Sequence, residues 1–341
     1  DTAVLDEAQT IKNPDSQIAK AAHQLKGQFR IALSGTPIEN RLDDLWSQFQ
    51  FINPGLLGTR ESFREELADP ISSASHQASS SLTRLRKRIQ PFILRRLKKD
   101  VAPELPSKTE SLLTCELSSS ERELYDALFA SARQEVLANL SEGESVFSAL
   151  ELLLRLRQAC CHPALVPGQS AESSSKLELL LESLESSIQS GHRALVFSQW
   201  TSYLDLIGEK LGDAGIRFSR IDGSTRERGE IVESFQKESG SEVMLLSLKA
   251  GGVGLTLTAA DHVYLMDSWW NPAVENQAID RVHRIGQENP VFVYRLITTN
   301  TVEEKILSLQ KAKLSLATQA LEGVDGGTGL TRDDLLSLFE P

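Results

Sequence analysis

The chain has 341 residues, of which 40% are hydrophobic and 24% charged, and its formal net charge is -11. No apolar run is long enough to span a bilayer, so we expect a soluble globular protein. The acidic balance argues against indiscriminate binding to nucleic acid, although a local positive groove can act beneath an acidic exterior.

The first chemical motif of the chain follows a short apolar run. Ala3–Leu5 predicts a buried strand, and Asp6, Glu7, Ala8 and Gln9 come directly after it. The carboxylates would then lie at the carboxyl end of a strand, where parallel sheets bind ligands. An aspartate there can hold a magnesium ion, and a glutamate can orient or deprotonate an attacking water.

A second apolar run, Phe29–Leu33, predicts a strand that leads into a hydroxyl-rich turn at 34–40. Helices are predicted over 18–25 and from residue 42, where four apolar side chains share one face: Leu42, Leu45, Trp46 and Phe49. The serine-rich stretch 72–81 predicts a loop between helices.

The middle of the chain is basic and then helical. Residues 84–99 are dense in arginine and lysine, which is usual for a solvated helix face. A strand is predicted after Lys108, and helices are predicted over 121–140 and 145–161, with enough leucine for an independent bundle. Cys160 and Cys161, near the end of the second helix, are adjacent and do not suggest disulfides. With His162 they offer three metal ligands but no fourth at a suitable spacing, so we interpret them as a packed helix end.

Strands and helices alternate in the second half of the chain. Strands are predicted over 194–198, 217–221, 243–247, 262–267 and 291–297, with helices over 203–211, 226–235 and 272–284. This alternation predicts the α/β class, with a parallel sheet that helices cover on both faces. A further helix begins at Thr301 and carries a partly apolar seam.

The glycine-rich stretch 247–258 and the helix predicted after it form the most informative pattern. Gly251, Gly252 and Gly254 allow backbone amides to approach a phosphate closely. On a helix beginning at Pro272, the spacing of i, i+4 and i+7 would place three side chains on one face: Gln277, Arg281 and Arg284. Two guanidiniums on one face suit a charged transition state across a cleft.

In this order the motifs closely resemble those of the Swi/Snf-type ATPases, a branch of the superfamily-two helicase-like motors. Residues 6–9, 33–40, 193–200, 247–257 and 277–287 look like helicase motifs two to six. More distinctive of the family are 92–100, 105–108, 156–163 and 269–272. Gln9 departs from the pattern, because this family normally has histidine there.

The resemblance implies RecA-like lobes that use ATP and Mg²⁺ and move along double-stranded DNA. It implies that Asp6 binds magnesium, that Glu7 positions the water, and that Arg281 and Arg284 reach the γ-phosphate. Further implied roles are nucleotide binding by Gly254 and Gln277, and coupling by Gln9, Ser34 and Thr36. The DNA backbone would contact Ser198, Gln199, Lys249, Gly251 and Gly252.

The resemblance also implies a domain organisation. Residues 1–51 would be the remnant of the first lobe, 52–107 a protrusion and linker, 108–170 a second protrusion, 171–299 the second lobe, and 300–341 a brace helix and tail. No Gly-x-x-x-x-Gly-Lys-Ser/Thr phosphate loop occurs in the sequence. We therefore expect the nucleotide-gripping half to lie upstream in a longer protein, and the isolated chain to be inactive.

Three other functions stay open on the sequence alone. The chain could be an inert regulatory module, a superfamily-two helicase that separates strands, or a bacterial ATPase that recycles RNA polymerase. RNA polymerase or another DNA-bound protein is accordingly a possible partner, and no membrane partner is expected. The compartment would be the cytoplasm of a bacterium, near its nucleoid, or a eukaryotic nucleus.

Overall fold

A computed structural model of the chain describes residues 1–35, 42–72, 78–141, 146–251, 254–268, 272–310 and 338. It divides the chain into two compact units, unit one with residues 1–96 and 309–331, and unit two with residues 97–308 and 332–341. Within the described residues, no helix has the length and apolar character needed to cross a membrane.

Unit one contains a two-stranded parallel sheet and a group of helices. Strands β1 (Thr2–Leu5) and β2 (Phe29–Ala32) pair over their whole length. The helices are α1 (Gln17–Gln24), α2 (Leu42–Ile52), α3 (Arg60–Phe63), α4 (Asp69–Ser72) and α5 (Ala78–Ile89), with a π-helical segment over Arg64–Ala68. The predicted strands and the helices near 18 and 42 are confirmed.

The prediction that the first strand is buried is wrong. Side chains alternate between the two faces of a strand, and in the described residues only one face of this sheet is packed. Ala3, Leu5 and Ala32 pack against the small core around Phe51. On the other face, apolar side chains stay exposed, with 53% of the surface of Val4 and 67% of Phe29 accessible.

The serine-rich stretch 72–81 is not a loop throughout. Its last four residues form the first turn of α5, where the Ser81 hydroxyl donates to the Glu66 carbonyl over 3.0 Å. Leu82, Leu85 and Ile89 follow on one face and join a core with Phe63 and the apolar face of α2, while the basic side chains of α5 lie on the solvent side. Residues 73–77 lie outside the described residues.

Unit two is built on a six-stranded parallel sheet. Its strands are β3 (Lys108–Cys115), β4 (Ala194–Ser198), β5 (Phe218–Ile221), β6 (Val243–Ser247), β7 (His262–Leu265) and β8 (Val291–Thr298), in the order β3-β8-β7-β4-β6-β5. Alternate side chains of a central strand pack into separate cores on the two faces of the sheet. In β4, Leu195 and Phe197 belong to one core, and Ala194 and Val196 belong to the other. The α/β class and the covered parallel sheet are confirmed.

Strand β3 was expected to open the second protrusion, but it is an edge strand of the sheet. It pairs with β8 over eight residues, from Lys108 with Val291 to Cys115 with Thr298. Chain position alone does not reveal this pairing, because the two strands are far apart in sequence.

The helices of unit two are α6 (Lys98–Val101), α7 (Ser119–Ser141), α8 (Val146–Cys161), α9 (Ser175–Gln189), α10 (Thr201–Asp213), α11 (Arg228–Gln236), α12 (Leu248–Gly251) and α13 (Pro272–Ile279), followed by a helical stretch over 302–310. Helices α7 and α8 do not form an independent bundle. The Tyr125 hydroxyl accepts the backbone N–H of Val302 over 2.8 Å, and Arg122 donates to the Thr299 carbonyl, so α7 is fixed to the end of the sheet.

Val302 and Ile306, in the stretch 302–310, are fully buried, which confirms the apolar seam predicted there. The rest of the tail predicted after this helix lies outside the described residues, apart from Leu338.

Candidate nucleotide and DNA sites

The acidic turn, residues 6–9, leaves β1 at its carboxyl end. Glu7 adopts a left-handed conformation with φ 50° and ψ 50°, which is uncommon for a residue with a side chain. Two backbone bonds hold the turn beside the end of β2, from Ala8 N to Leu33 O and from Leu33 N to Leu5 O, both 2.8 Å. This geometry presents the carboxylates of Asp6 and Glu7 at the carboxyl edge of the sheet.

A chain of side-chain hydrogen bonds joins the two strand ends. The Ser34 hydroxyl donates to Gln9 Oε1 over 2.9 Å, and Gln9 Nε2 donates to Glu7 Oε2 over 2.7 Å. An amide suits the middle of such a chain because it carries an acceptor and a donor at once. Gln9 therefore links Ser34 to Glu7 directly, and Thr36, the other predicted coupling residue, lies outside the described residues.

Asp6 offers the kind of ligand that a magnesium ion prefers. One of its carboxylate oxygens accepts the Glu7 N–H over 2.9 Å, and the side chain is exposed at the end of the strand. Mg²⁺ in nucleotide sites takes one or two carboxylates together with phosphate oxygens and water. The donor chemistry of Asp6 fits that ion.

The predicted helix over 272–284 ends early, and neither arginine lies on it. Helix α13 stops at Ile279, and the next amides bond to nearer carbonyls, with Arg281 N to Ala278 O and Val282 N to Ile279 O. The Arg281 carbonyl instead accepts the N–H of Leu257 over 3.0 Å. The backbone therefore leaves the path of the helix after Ile279. The prediction that Gln277 and the two arginines share one helix face is wrong.

Residues 280–287 form what we term the arginine turn. Arg281 is buried, with 9% of its surface accessible, whereas Arg284 is exposed and donates to the Thr256 hydroxyl over 3.3 Å. Gln277 is half-buried on α13. Gly254 has φ +50°, a left-handed conformation that favours glycine, and it lies two residues before Thr256.

Three contacts with the linker also hold the arginine turn. Lys98 Nζ lies 2.6 Å from Asp280 Oδ1 and donates to the His283 carbonyl over 2.9 Å. The His283 ring bonds the Pro106 carbonyl through Nε2 over 2.8 Å. The segment from Lys98 to Pro106 is therefore a support for this turn, a role that the sequence did not indicate.

Gln287 closes the arginine turn from within. Its Nε2 donates to the carbonyls of Thr258, Ala260 and Val282, and its Oε1 accepts the N–H of Asn289. We identified this residue only as the last of a motif. The only signal in the sequence is that this glutamine directly follows Gly286, which marks a turn, and that signal does not reveal the carbonyls that Gln287 bonds.

The predicted DNA-binding residues differ in how accessible they are. Lys249 is exposed on α12, which also contains Gly251 and follows the carboxyl end of β6. Ser198 is fully buried and donates to Asp267 over 2.5 Å, so its side chain does not face a ligand. The backbone N–H of Gln199 also bonds Asp267, and Gly252 lies outside the described residues.

Asp267 is the centre of a buried network that the sequence did not indicate. Arg157 reaches it from α8, donates to the neighbouring Ser268 carbonyl, and stacks over the Trp200 ring at 5.8 Å. Burial raises the pKa of Asp267 to about 6, against the opposing effects of Arg157 and the Ser198 hydroxyl. Asp267 follows the end of β7, just as Asp6 follows the end of β1. The sequence pattern nevertheless indicated no role for Asp267.

The cysteines behave as the packed helix end that we expected. Cys160 and Cys161 are buried free thiols, and burial raises the pKa of each well above its usual range. Within the described residues, the cysteines form no metal-binding group with His162.

Comparison with known proteins gives two family matches. Residues 1–165 match the SNF2-related domain, and residues 175–286 match the helicase conserved C-terminal domain. An uncharacterised ATP-dependent helicase of Mycoplasma pneumoniae is 41% identical over 99% of this chain, which covers 32% of that protein. The helicase/translocase YwqA of Bacillus subtilis is 40% identical over 99% of the chain and 37% of its own length.

The chain therefore spans about a third of the length of these curated relatives. A solved structure of the SWI2/SNF2 ATPase core of Sulfolobus solfataricus, in complex with double-stranded DNA, is 34% identical, with a TM-score of 0.56. The match covers 99% of this chain and 72% of that one. With these matches, the RecA-like α/β fold and the motif order, the chain belongs to the Swi/Snf-type branch of the superfamily-two helicase-like proteins.

Proposed function

We propose that this chain forms the C-terminal part of an ATP-dependent translocase that moves along double-stranded DNA without separating its strands. The observation that carries this proposal is the hydrogen-bond chain from Ser34 through Gln9 to Glu7. It connects the residue proposed to orient the attacking water with a turn on the neighbouring strand. A rearrangement of that turn on DNA binding would then reach the catalytic carboxylate through two hydrogen bonds.

In this proposal Asp6 holds the magnesium ion and Glu7 orients the water. A magnesium ion held by Asp6 would neutralise the charge that develops on the phosphates. The left-handed backbone at Glu7, with φ 50°, sets the direction in which its carboxylate leaves the strand. Gln9 donates to Oε2 of that carboxylate and so helps to orient it for accepting a proton from water.

The arginine turn of unit two carries the positively charged residues of this proposal. Arg284 is exposed on the turn and is the residue we propose as the arginine finger, while the more buried Arg281 supports it and adds its own charge. An arginine finger contributes about a thousandfold to a hundred-thousandfold in rate. Gly254 and Gln277 lie on the elements next to this turn and complete the proposed nucleotide contacts.

DNA binding in this proposal depends on backbone phosphates. Lys249, Gly251 and Gly252 would contact backbone phosphates, and so would the Gln199 loop, which Asp267 fixes. Phosphate contacts position a protein without reading sequence, which suits a motor that binds every step alike. The buried Ser198 then holds Asp267 and does not bind DNA itself.

These 341 residues contain no phosphate loop of the Gly-x-x-x-x-Gly-Lys-Ser/Thr kind, and the relatives are about three times as long. We therefore propose that turnover requires such a loop from the rest of a longer protein, and that the chain alone does not hydrolyse ATP. A motor that tracks DNA works where the DNA is, in the bacterial cytoplasm or a eukaryotic nucleus.

The test uses the longer protein with its phosphate loop. We expect double-stranded DNA to stimulate its ATP turnover, and we expect it to displace a triplex-forming third strand from a duplex. Binding should weaken steeply with salt and depend little on sequence. Efficient separation of an annealed duplex would favour the strand-separating helicase, and stimulation only by bound RNA polymerase would favour the polymerase-recycling ATPase.

A further inference from the structure

Three metal-ligating side chains gather at the amino-terminal edge of the sheet in unit two. His192 lies two residues before β4, His262 is the first residue of β7, and Asp261 precedes it. In a parallel sheet this edge is opposite to the carboxyl ends that carry Ser198 and Lys249. The cluster contains none of the candidate nucleotide and DNA residues.

The three side chains are already in contact. Asp261 Oδ2 bonds His192 Nδ1 over 2.8 Å, and Asp261 Oδ1 bonds His262 Nδ1 over 2.7 Å. The two imidazole centres lie 4.5 Å apart, and one donor atom from each of the three residues lies within 4.8 Å of the others. A metal ion with bonds of about 2 Å could bind all three donors after movements of about 1 Å.

The backbone holds the cluster in place. The N–H groups of Asp261 and His262 both donate to the Arg193 carbonyl, over 3.1 and 3.2 Å, and the Asp261 carbonyl accepts from Phe292 N over 2.8 Å. His192 follows a helix-ending turn at the end of α9, where its N–H donates to the Ser187 carbonyl over 3.0 Å. Rigid backbone positions of this kind are what a metal site requires of its ligands.

Charge supplies the main argument for a cation. Asp261 has only 5% of its surface accessible, yet within the described residues its ion-pair partners are the two histidines alone, with no lysine or arginine. Neither imidazole carries a permanent positive charge, so a bound cation would supply one beside this buried carboxylate. Two imidazoles and one carboxylate are also the donor types that Zn²⁺ and similar ions prefer.

A cleft gives the cluster an entry path. It has a volume of about 530 Å³, and both histidines line it together with Glu182 and Tyr294. A water from this cleft would take the fourth position on the ion.

We propose that His192, Asp261 and His262 bind one divalent transition-metal ion, with Zn²⁺ as the type case, and that the ion ties the end of α9 to the start of β7. The proposal does not depend on the proposed motor function, because none of these three side chains belongs to the candidate nucleotide or DNA residues. Binding uses a neutral nitrogen of each imidazole, so it displaces a proton wherever a ring is protonated.

The test is a titration of the full chain with Zn²⁺ in competition with a chromophoric chelator. We expect one equivalent to bind, and the melting temperature to rise with added Zn²⁺. His192→Gln should lower the affinity by about tenfold or more and remove the rise in melting temperature. Because the His192 side chain is 40% exposed, this variant should fold normally. His23→Gln is the matched control, since His23 bonds a carbonyl in unit one and should leave binding unchanged.

Co²⁺ in place of Zn²⁺ identifies the donors without any substitution. We expect visible absorption bands of a four- or five-coordinate ion with nitrogen and oxygen donors, and no charge-transfer band from a thiolate. A thiolate band would assign the metal to a cysteine and overturn the proposal. Equal affinity in the wild type and His192→Gln would mean adventitious binding only, and absence of binding by the wild type would equally overturn it.

Discussion

The acidic turn of unit one and the arginine turn of unit two hold their charged residues in different ways. In the acidic turn, the important side chains bond one another, from Ser34 to Gln9 to Glu7. In the arginine turn, the side chains bond backbone groups. Lys98 and the Leu257 amide hold the turn from outside, and Gln287 holds it from within. A substitution in the acidic turn should therefore disturb chemistry directly, whereas the arginine turn should tolerate the loss of any one support.

Glu7→Gln should have the largest effect. In the longer protein it should lower kcat by about a hundredfold to ten-thousandfold, because an amide cannot accept the proton of the attacking water. Folding should be unaffected, since Glu7 is only half-buried. Steady-state ATPase assays with saturating DNA measure this, and Glu61→Gln, an exposed acid in the same unit, is the control. A variant that keeps a tenth of the activity would remove Glu7 from its assigned role.

Arg284→Ala should follow, with a loss in kcat of about a hundredfold or more and little change in DNA affinity. Arg281→Ala should lower kcat similarly. The exposed Arg226 supplies the control, Arg226→Ala, which should leave turnover unchanged. If the arginines only paired with surface carboxylates, each would contribute about 1 kcal/mol of stability or less and turnover would stay normal. Measuring kcat at saturating ATP, alongside a melting curve, separates these outcomes.

Asp267→Asn should change the pH dependence of stability in the chain itself. The folded pKa of Asp267, about 6, lies above the ordinary value of 3.8, so the wild type is favoured below about pH 4 and loses that stability as the pH rises through 6. The asparagine variant does not titrate. Its free energy of unfolding, relative to the wild type, should rise by about 1–3 kcal/mol between pH 4 and pH 7. Urea unfolding at both pH values measures this, and a constant difference would contradict the assigned burial of charge.

Lys98→Ala should have the smallest effect. Its ion pair with Asp280 is exposed on both sides, at 43% and 48%, so its loss should cost about 1 kcal/mol or less. The other supports of the arginine turn remain, and kcat should fall by no more than about fivefold. Thermal melting and ATPase assays against the exposed control Lys237→Ala test this. A loss as large as that of Arg284→Ala would show that the turn depends on the linker alone.

The sequence predicted features that depend on local pattern. Strands β4 and β6, which are apolar up to a final serine, and helix α2, with its apolar face, lie where the pattern placed them. The Asp-Glu pair at the end of β1 was also identified from its position after an apolar run. Periodicity and strand ends are properties of a short segment, so they can be recognised without knowing the fold.

The sequence did not predict features that depend on distant partners. Helix α13 ends at Ile279 and the Arg281 carbonyl pairs with the Leu257 amide, and the helical pattern of the segment gives no sign of either. Likewise, Ser198 turns inward because Asp267 lies beside it, and β3 joins the sheet through β8. His192 and Asp261 are 69 residues apart, so their contact also required the structure.

The coupling of DNA binding to ATP hydrolysis through Gln9 is the central claim, and the DNA stimulation of turnover in Gln9 variants of the longer protein tests it most directly. Gln9→Leu keeps the volume of the side chain but breaks both hydrogen bonds, so the ratio of DNA-stimulated to basal kcat should fall by about tenfold, which corresponds to about 1.4 kcal/mol. Gln9→His should retain most of the stimulation, because an imidazole can also donate to Glu7 and accept from Ser34. An unchanged ratio in Gln9→Leu would contradict the account.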